Sequence, residues 1–151
     1  MCSYNAVNGI PSCANDLNLN QILRGEFGFD GVVVSDCGAI NNIMNKHHYT
    51  SNATSTVATA VLAGCDADCP GGSQPVSYPL FLAAAVTSHE LPEDALDRSL
   101  VRLWTAVFRL GLLDNPEESV FANLGEQSNV RLMRWALKRC YIRMHQSCSV
   151  S

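Results

Sequence analysis

The residues with the clearest chemical placement lie in Gly28-Phe29-Asp30-Gly31-Val32-Val33-Val34-Ser35-Asp36-Cys37. Three consecutive β-branched valines, apolar on both faces, predict a strand buried on both sides. The run stops at Ser35-Asp36. A carboxylate where a buried strand ends has no packing role, and it suits a barrel whose active site sits at the strands' C-terminal ends. Asp is also a good helix N-cap, so these ten residues alone leave two readings of Asp36 open. Tyr4 offers a ring and a hydroxyl, or serves only as a core aromatic. Cys65-x-x-x-Cys69 with His47 or His48 brings together metal-donor types. The spacing is not that of a usual zinc motif, and Pro70-Gly71-Gly72 adds no ligand, so neither metal nor cofactor is expected. His47 and His48 read as loop residues. Asp66 and Asp68 are read as alternating across a short strand, so that at most one faces the same mouth as Asp36. Glu90, Glu93 and Asp94 read as a solvated helix start.

These groups must be positioned by the elements around them. Residues 1–5 read as a short strand, and Asn8-Gly9-Ile10-Pro11 as a turn. Leu19, Ile22, Leu23 and Phe27 recur at helical spacing, with an end near Gly25 or Gly28. The valine strand follows, then a short helix over 38–44 and a loop at His47-His48-Tyr49-Thr50. An Ala-rich helix over 54–62 is closed by Gly64, and residues 65–72 form a short strand and turn. Strand, helix, strand, helices, strand is the alternation of a parallel βα fold. Two helices are expected beyond it. Residues 76–88 carry Leu80, Leu82, Ala83 and Val86. The second starts at Pro92-Glu93-Asp94, has Leu96, Leu100, Leu103, Val107 and Leu110 on one face, and ends at Gly111. There are no internal repeats.

The 151 residues suffice for one domain, and 47% hydrophobic against 16% charged content predicts a packed core. A net charge of −4 gives no case for a nucleic-acid partner. No apolar run approaches the roughly 18 residues of a membrane helix. Met1-Cys2-Ser3-Tyr4-Asn5 has neither the basic nor the apolar region of a signal peptide. Seven cysteines and the glycosylation sequon Asn52-Ala53-Thr54 point toward an oxidising compartment. All 14 acidic residues lie at or before Glu126, whereas Arg131, Arg134, Lys138, Arg139 and Arg143 follow it. Over 128–146, Val130, Met133, Leu137, Cys140, Tyr141 and Met144 share one helical face. That gives a basic amphipathic segment of the kind that binds membranes or partner proteins, or an ordinary surface helix or tail.

Met1 through Pro11, Gly28-Phe29-Asp30-Gly31, Val34-Ser35-Asp36-Cys37, His48-Tyr49-Thr50 and Ala63 through Cys69 resemble glycoside hydrolase family 3. The segment from Leu103 to Asp114 resembles the helix that closes that family's first domain. Cys37, where the family's β-glucosidases usually carry Trp, is similar to the β-xylosidase branch. The likeness covers about residues 1–125 and implies an α/β fold: the C-terminal portion of a (β/α)8 barrel, about three strands with their helices. It implies an exo-acting retaining glycosidase that releases terminal xylose from xylo-oligosaccharides, with β-glucosidase or α-arabinofuranosidase activity as the alternative. Asp36 is then the nucleophile, and Met1, Tyr4 and Cys37 line the subsite. Cys37 and Cys69 pair in a disulfide that fills the space a glucose hydroxymethyl would need. Full-length members are extracellular. A retaining enzyme needs a second carboxyl roughly 5 Å away, which the family supplies from a second domain, so no residue here is assigned that role.

Residues 126–151 depart from the family pattern, and their abrupt basic charge points to a frameshift, a mis-spliced reading or a degraded gene copy. Three strands do not close an eight-stranded barrel. The 151-residue chain alone is therefore expected to be aggregated or molten, and inactive. A non-catalytic remnant that binds through its basic segment is the contrasting expectation.

Overall fold

The computed structural model describes residues 1–72 and 74–115. The basic segment and the domain boundary placed at 125/126 lie outside them. Two short antiparallel strands, β1 (Ala6–Val7) and β2 (Ile10–Pro11), pair Ala6 with Pro11 and Val7 with Ile10. The expected turn is real but narrower: Asn8 and Gly9 alone form it, at φ 52° and 82°. Two positive φ values are what a two-residue hairpin requires, and Asn-Gly is the pair that adopts them most cheaply. A 3-10 turn (Ser12–Ala14) leads to a π-helix (Leu17–Glu26), then to α1 (Ala39–Asn45), α2 (Ala53–Leu62), α3 (Tyr78–Thr87) and α4 (Glu93–Arg109).

The helix expected over 17–27 is present with wider turns. The Phe27 N–H donates to the Ile22 carbonyl five residues back, at 3.0 Å. The Asp16 carboxylate accepts from both Asn20 and Gln21, at 2.8 Å each, which only a widened turn brings over it together. Phe27 lies past the helix end and is 75% exposed, not part of the buried face.

The three parallel strands expected at 1–5, 32–36 and 65–69 are reduced to single bridges, Cys2 with Ser35 and Val34 with Ala67. The valine segment is still the middle of three parallel segments. Cys2 N–H donates to Val34 O (2.9 Å) and Asp36 N–H to Cys2 O (2.8 Å), while Ser35 N–H donates to Ala67 O (2.8 Å) on the other side. The ladder stays short for a visible reason: the Val33 N–H is taken by the Asp66 carboxylate (2.9 Å) instead of a strand carbonyl. The valines are not equally buried, as two-sided covering would have made them. Val33 is 1% exposed and Ser35 2%, whereas Val34 is 36% exposed. Alternation sends Val33 and Ser35 toward the helices, and Val32, Val34 and Asp36 to the more open face.

Ile40, Ile43 and Val57 are fully buried and Val33 nearly so, and α2 packs against α1, α3 and α4. Asn52 starts α2 with its Oδ1 accepting the Ser55 N–H at 2.8 Å, an N-cap that satisfies an orphan donor. In α4 the buried residues are Ala95 and Ser99, while Leu100 is 40% and Leu110 70% exposed. The inward face is thus offset by part of a turn from the leucine stripe, of which Leu96, Leu103 and Val107 stay half-buried. Arg102 sets the offset by reaching across to Asp66. No helix of the described residues is long and apolar enough to cross a membrane. The chain divides into two units at Leu110; in the second, the Asp114 N–H closes a turn on Gly111 O at 3.1 Å.

Asp66 is the best-anchored polar group of the first unit. Its side chain is fully buried between Arg24 (2.6 Å) and Arg102 (2.7 Å). Arg24 also donates to the carbonyls of Gly31 (2.9 Å) and Gly64 (3.1 Å). Breaking a buried ion pair by removing one partner typically costs about 3–5 kcal/mol. Asp66→Asn, which keeps the shape and deletes the charge, is therefore expected to lower stability by about 3 kcal/mol or more in urea titration. A cost below about 1 kcal/mol would make the cluster incidental, because surface pairs contribute that little.

Burial pushes the Cys65 thiol up to about 12, with the Tyr78 hydrogen bond opposing and the Asp66 and Asp68 charges adding. An unfolded thiol titrates near about 8.5. Above that pH the unfolded chain has released a proton the folded chain keeps, so stability falls as pH rises. The contribution is intact below about pH 8.5 and is lost progressively toward about pH 12. The urea midpoint should fall between about pH 8.5 and 10, and Cys65→Ala should flatten that slope. An unchanged slope in the variant would remove Cys65 as its source.

Candidate active site

Asp36 emerges from the end of the valine segment with its backbone fully engaged. Its N–H donates to Cys2 O at 2.8 Å, and its carbonyl accepts the Ala39 N–H at 2.9 Å. Its Oδ1 accepts the N–H of Cys37 at 2.8 Å. The side chain does not cap α1, whose N-cap is Gly38 in a left-handed conformation (φ 84°) without a side-chain cap. Of the two readings the sequence leaves open, capping is the one the geometry removes. Asp36 is half-buried and faces the more open side of the segment.

Cys37 is tied to Cys69 by a disulfide. Gly38 N–H donates to Cys69 O at 2.7 Å, so the strap joins the segments that follow Asp36 and Asp68. Gly71 passes so close that a Cβ there would lie 3.1 Å from the Cys37 carbonyl carbon and oxygen, which leaves little room for any side chain. The Tyr4 hydroxyl donates to the Cys37 carbonyl at 2.8 Å. Partial desolvation, then the charge of Asp36 and hydrogen bonding with it, raise the Tyr4 phenol above its ordinary value. Tyr4 is therefore a neutral hydroxyl donor beside a carboxylate at any physiological pH. It is 48% exposed, so it is not a core aromatic. Met1, on the same segment, is 76% exposed.

The structure thus gathers Tyr4, Asp36, Cys37 and Cys69, and leaves Met1 in the open beside them. Asp66 and Asp68 do go to different partners, but not by strand alternation, which would place residues two apart on one face. The 65–69 segment is bridged only at Ala67 and is not a regular strand there. Asp66 turns to the two arginines. Asp68 accepts from the Ser35 hydroxyl (3.2 Å) and the Tyr78 N–H (2.9 Å), and Ser35 Oγ in turn accepts the Cys69 N–H (2.9 Å). With Asp68 so committed, Asp36 has no evident carboxyl partner among the described residues. The donor set Cys65, Cys69 and His47 is not assembled: Cys69 is in the disulfide and Cys65 is fully buried. His47 instead binds the Tyr4 carbonyl through Nε2 at 2.7 Å. That contact holds the tyrosine's backbone and is invisible in the sequence, since it spans 43 residues and ends on a carbonyl. The arrangement presents one accessible carboxylate, a neutral phenol beside it and a disulfide wall.

Residues 1–106 match the family model described as the glycosyl hydrolase family 3 N-terminal domain. The probable exo-1,4-beta-xylosidase xlnD of Aspergillus clavatus is 39% identical over 137 residues, 89% of this chain and 16% of that protein. The probable exo-1,4-beta-xylosidase bxlB of Aspergillus terreus is 42% identical over 128 residues, 83% of this chain and 16% of that protein. This chain therefore spans about one-sixth of the length of these relatives. Among solved structures, a GH3 exo-beta-xylosidase (XlnD) in complex with a xylobiose aziridine activity-based probe superposes with a TM-score of 0.76 at 33% identity, over 90% of this chain and 18% of the other. A beta-glucosidase from Listeria innocua, in complex with gluconolactone, superposes at 0.69 and 29% identity over 82% and 16%. With a family model matching more than two-thirds of its length, the chain belongs to glycosyl hydrolase family 3.

Proposed function

We propose that this chain is the nucleophile-bearing segment of an extracellular, exo-acting, retaining β-xylosidase, and that it forms the C-terminal portion of a (β/α)8 barrel. The observation that carries the proposal is the Asp36 carboxylate, half-exposed at the end of the middle parallel segment, with the Tyr4 hydroxyl beside it. In a retaining mechanism an Asp36 oxygen attacks the anomeric carbon of the terminal xylose. The glycosidic C–O bond breaks as a carboxyl from outside the described residues protonates the leaving oxygen. The resulting xylosyl ester is cleaved by water, which that second carboxylate deprotonates, and Asp36 is regenerated. The Cys37 N–H on Oδ1 fixes the orientation of the carboxylate that attacks. The Tyr4 hydroxyl donates its proton to the Cys37 carbonyl and so holds the phenol, uncharged, beside the carboxylate as a wall of the subsite.

The Cys37–Cys69 disulfide stands beside the nucleophile, and we assign it the selection of pentoses. A wall that fills the position of a hexose hydroxymethyl admits xylose and excludes glucose. Met1 and Tyr4 complete the lining of the same subsite. The substrates are xylo-oligosaccharides. The 151-residue chain alone should have no turnover, because the acid/base carboxyl comes from elsewhere.

The test is a chimera in which residues 1–115 replace the matching segment of the Aspergillus clavatus relative. Aryl β-xyloside hydrolysis is expected, and Asp36→Gly should reduce it on the order of 10⁴-fold or more. Azide should rescue that variant and yield the α-xylosyl azide, since it enters from the face the carboxylate vacates. A β-configured azide product would assign Asp36 the acid/base role instead. Replacing Cys37 and Cys69 together by Ala should raise the glucoside-to-xyloside ratio of kcat/KM at least about tenfold, the scale of one small pocket group. A chimera that prefers glucosides before any substitution would favour the β-glucosidase reading.

A further inference from the structure

Three cysteine sulfurs meet in the buried core. Cys2 and Cys13 are joined in a disulfide, and Cys65 is a free, buried thiol. The Cys65 sulfur lies 3.7 Å from that of Cys2, and all three sulfurs lie within 4.8 Å of one another. Their residues are 0–3% exposed. Cys2 and Cys65 belong to the two segments that flank the valine segment, through the bridges at Ser35 and Ala67.

We propose that Cys65 is a second disulfide partner of Cys2, so that the cluster is a thiol–disulfide exchange site with two interchangeable cross-links. The step needs no external oxidant or reductant. Cys65 gives its proton to solvent, and its thiolate attacks Cys2 Sγ. The Cys2–Cys65 bond forms as the Cys2–Cys13 bond breaks, and the electron pair leaves on Cys13 Sγ, which solvent reprotonates. The first pairing ties the Tyr4 segment to the end of the hairpin across 11 residues. The second ties it to the segment that carries Cys69, across 63 residues. Because the two segments flank the valine segment, about two strand spacings apart, that bond closes only when the core opens and one backbone shifts toward the other. Exchange thus changes what the Tyr4 side of the site is fastened to. Burial keeps the thiol at rest: with its pKa pushed up to about 12, thiolate at pH 7 is only about one part in 10⁵. Partial opening of the core, or alkaline pH, starts the exchange. The inference stands independently of the proposed glycosidase activity.

Two measurements on the 151-residue chain test it, both in a Cys140→Ser, Cys148→Ser background that confines exchange to the other five cysteines. First, Cys13→Ser is oxidised with glutathione disulfide in native buffer and, separately, in concentrated guanidinium, then acid-quenched and mapped by mass spectrometry. In a random chain, loop-closure statistics favour Cys2–Cys37 over Cys2–Cys65 by about two- to threefold. In native buffer Cys2–Cys65 should dominate, alongside Cys37–Cys69. The same distribution in both solvents, or a Cys2 left alkylatable in native buffer, would overturn the proposal. Second, the chain with Cys13 intact is held at about pH 8.5 in mild urea and sampled with iodoacetamide. Label should appear on Cys13 as it disappears from Cys65, and Cys65→Ala should abolish the Cys13 labelling. Label that stays on Cys65 alone at all times contradicts the exchange.

Discussion

A fully buried carboxylate held by two guanidinium groups is costly to place and costly to disturb, and the arrangement of the first unit follows from where Asp66 is satisfied. One oxygen takes Arg24 and the Val33 N–H; the other takes Arg102. The π-helix, the valine segment, the 65–69 segment and α4 are thereby fastened at one point. Taking charges out of water is repaid only when geometry and additional hydrogen bonds are good. Here both Asp66 oxygens are engaged, while the Arg24 Nε is buried without a hydrogen-bond partner. The same contact diverts the Val33 N–H from strand pairing. It therefore shortens the parallel ladder while setting the position of the segment that leads to Asp36.

From that anchor the site is built in steps along the chain. Val33 and Ser35 point to the helices, and the next residue, Asp36, must point the other way. The Ser35 hydroxyl links Asp68 to the Cys69 N–H, and the disulfide carries that constraint to Cys37. Tyr4 closes the ring on the Cys37 carbonyl, itself held through its own carbonyl by His47. Each polar group beside Asp36 is already spoken for by structure, which leaves the Asp36 carboxylate as the accessible group. One carboxylate is half of a retaining pair. That accords with a segment covering about one-sixth of its xylosidase relatives.

Much of this was legible in the residues. The family motifs identified the family, and the order of helices followed from periodicity and from Gly and Pro punctuation. The Asn-Gly turn and the Pro92 start of α4 sit where their chemistry requires. What was missed depends on distant partners. The leucine stripe of α4 gives only part of its inward face: Leu96, Leu103 and Val107 are half-buried, but the fully buried positions are Ala95 and Ser99, on the side where Arg102 reaches Asp66. The wider turns of the π-helix answer to Asp16 binding residues four and five ahead, which an apolar pattern does not report. The valine run reads as buried on both sides, but only the helices cover it among the described residues, so Val34 is partly open. His47 is the loop residue expected, but its bond to the Tyr4 carbonyl and the contact of Cys65 with Cys2 were not legible, because those partners are 43 and 63 positions away.

The central claim is that Asp36 forms the covalent bond to xylose. Its most direct test is to treat the chimera carrying residues 1–115 with a xylose-configured aziridine, digest it, and locate the adduct by mass spectrometry. The account predicts a single xylosyl-type ester on the peptide containing Asp36, absent from Asp36→Asn and reduced by competing xylobiose. An adduct on Asp68 or on another carboxylate, with Asp36 unmodified in an active protein, would contradict it.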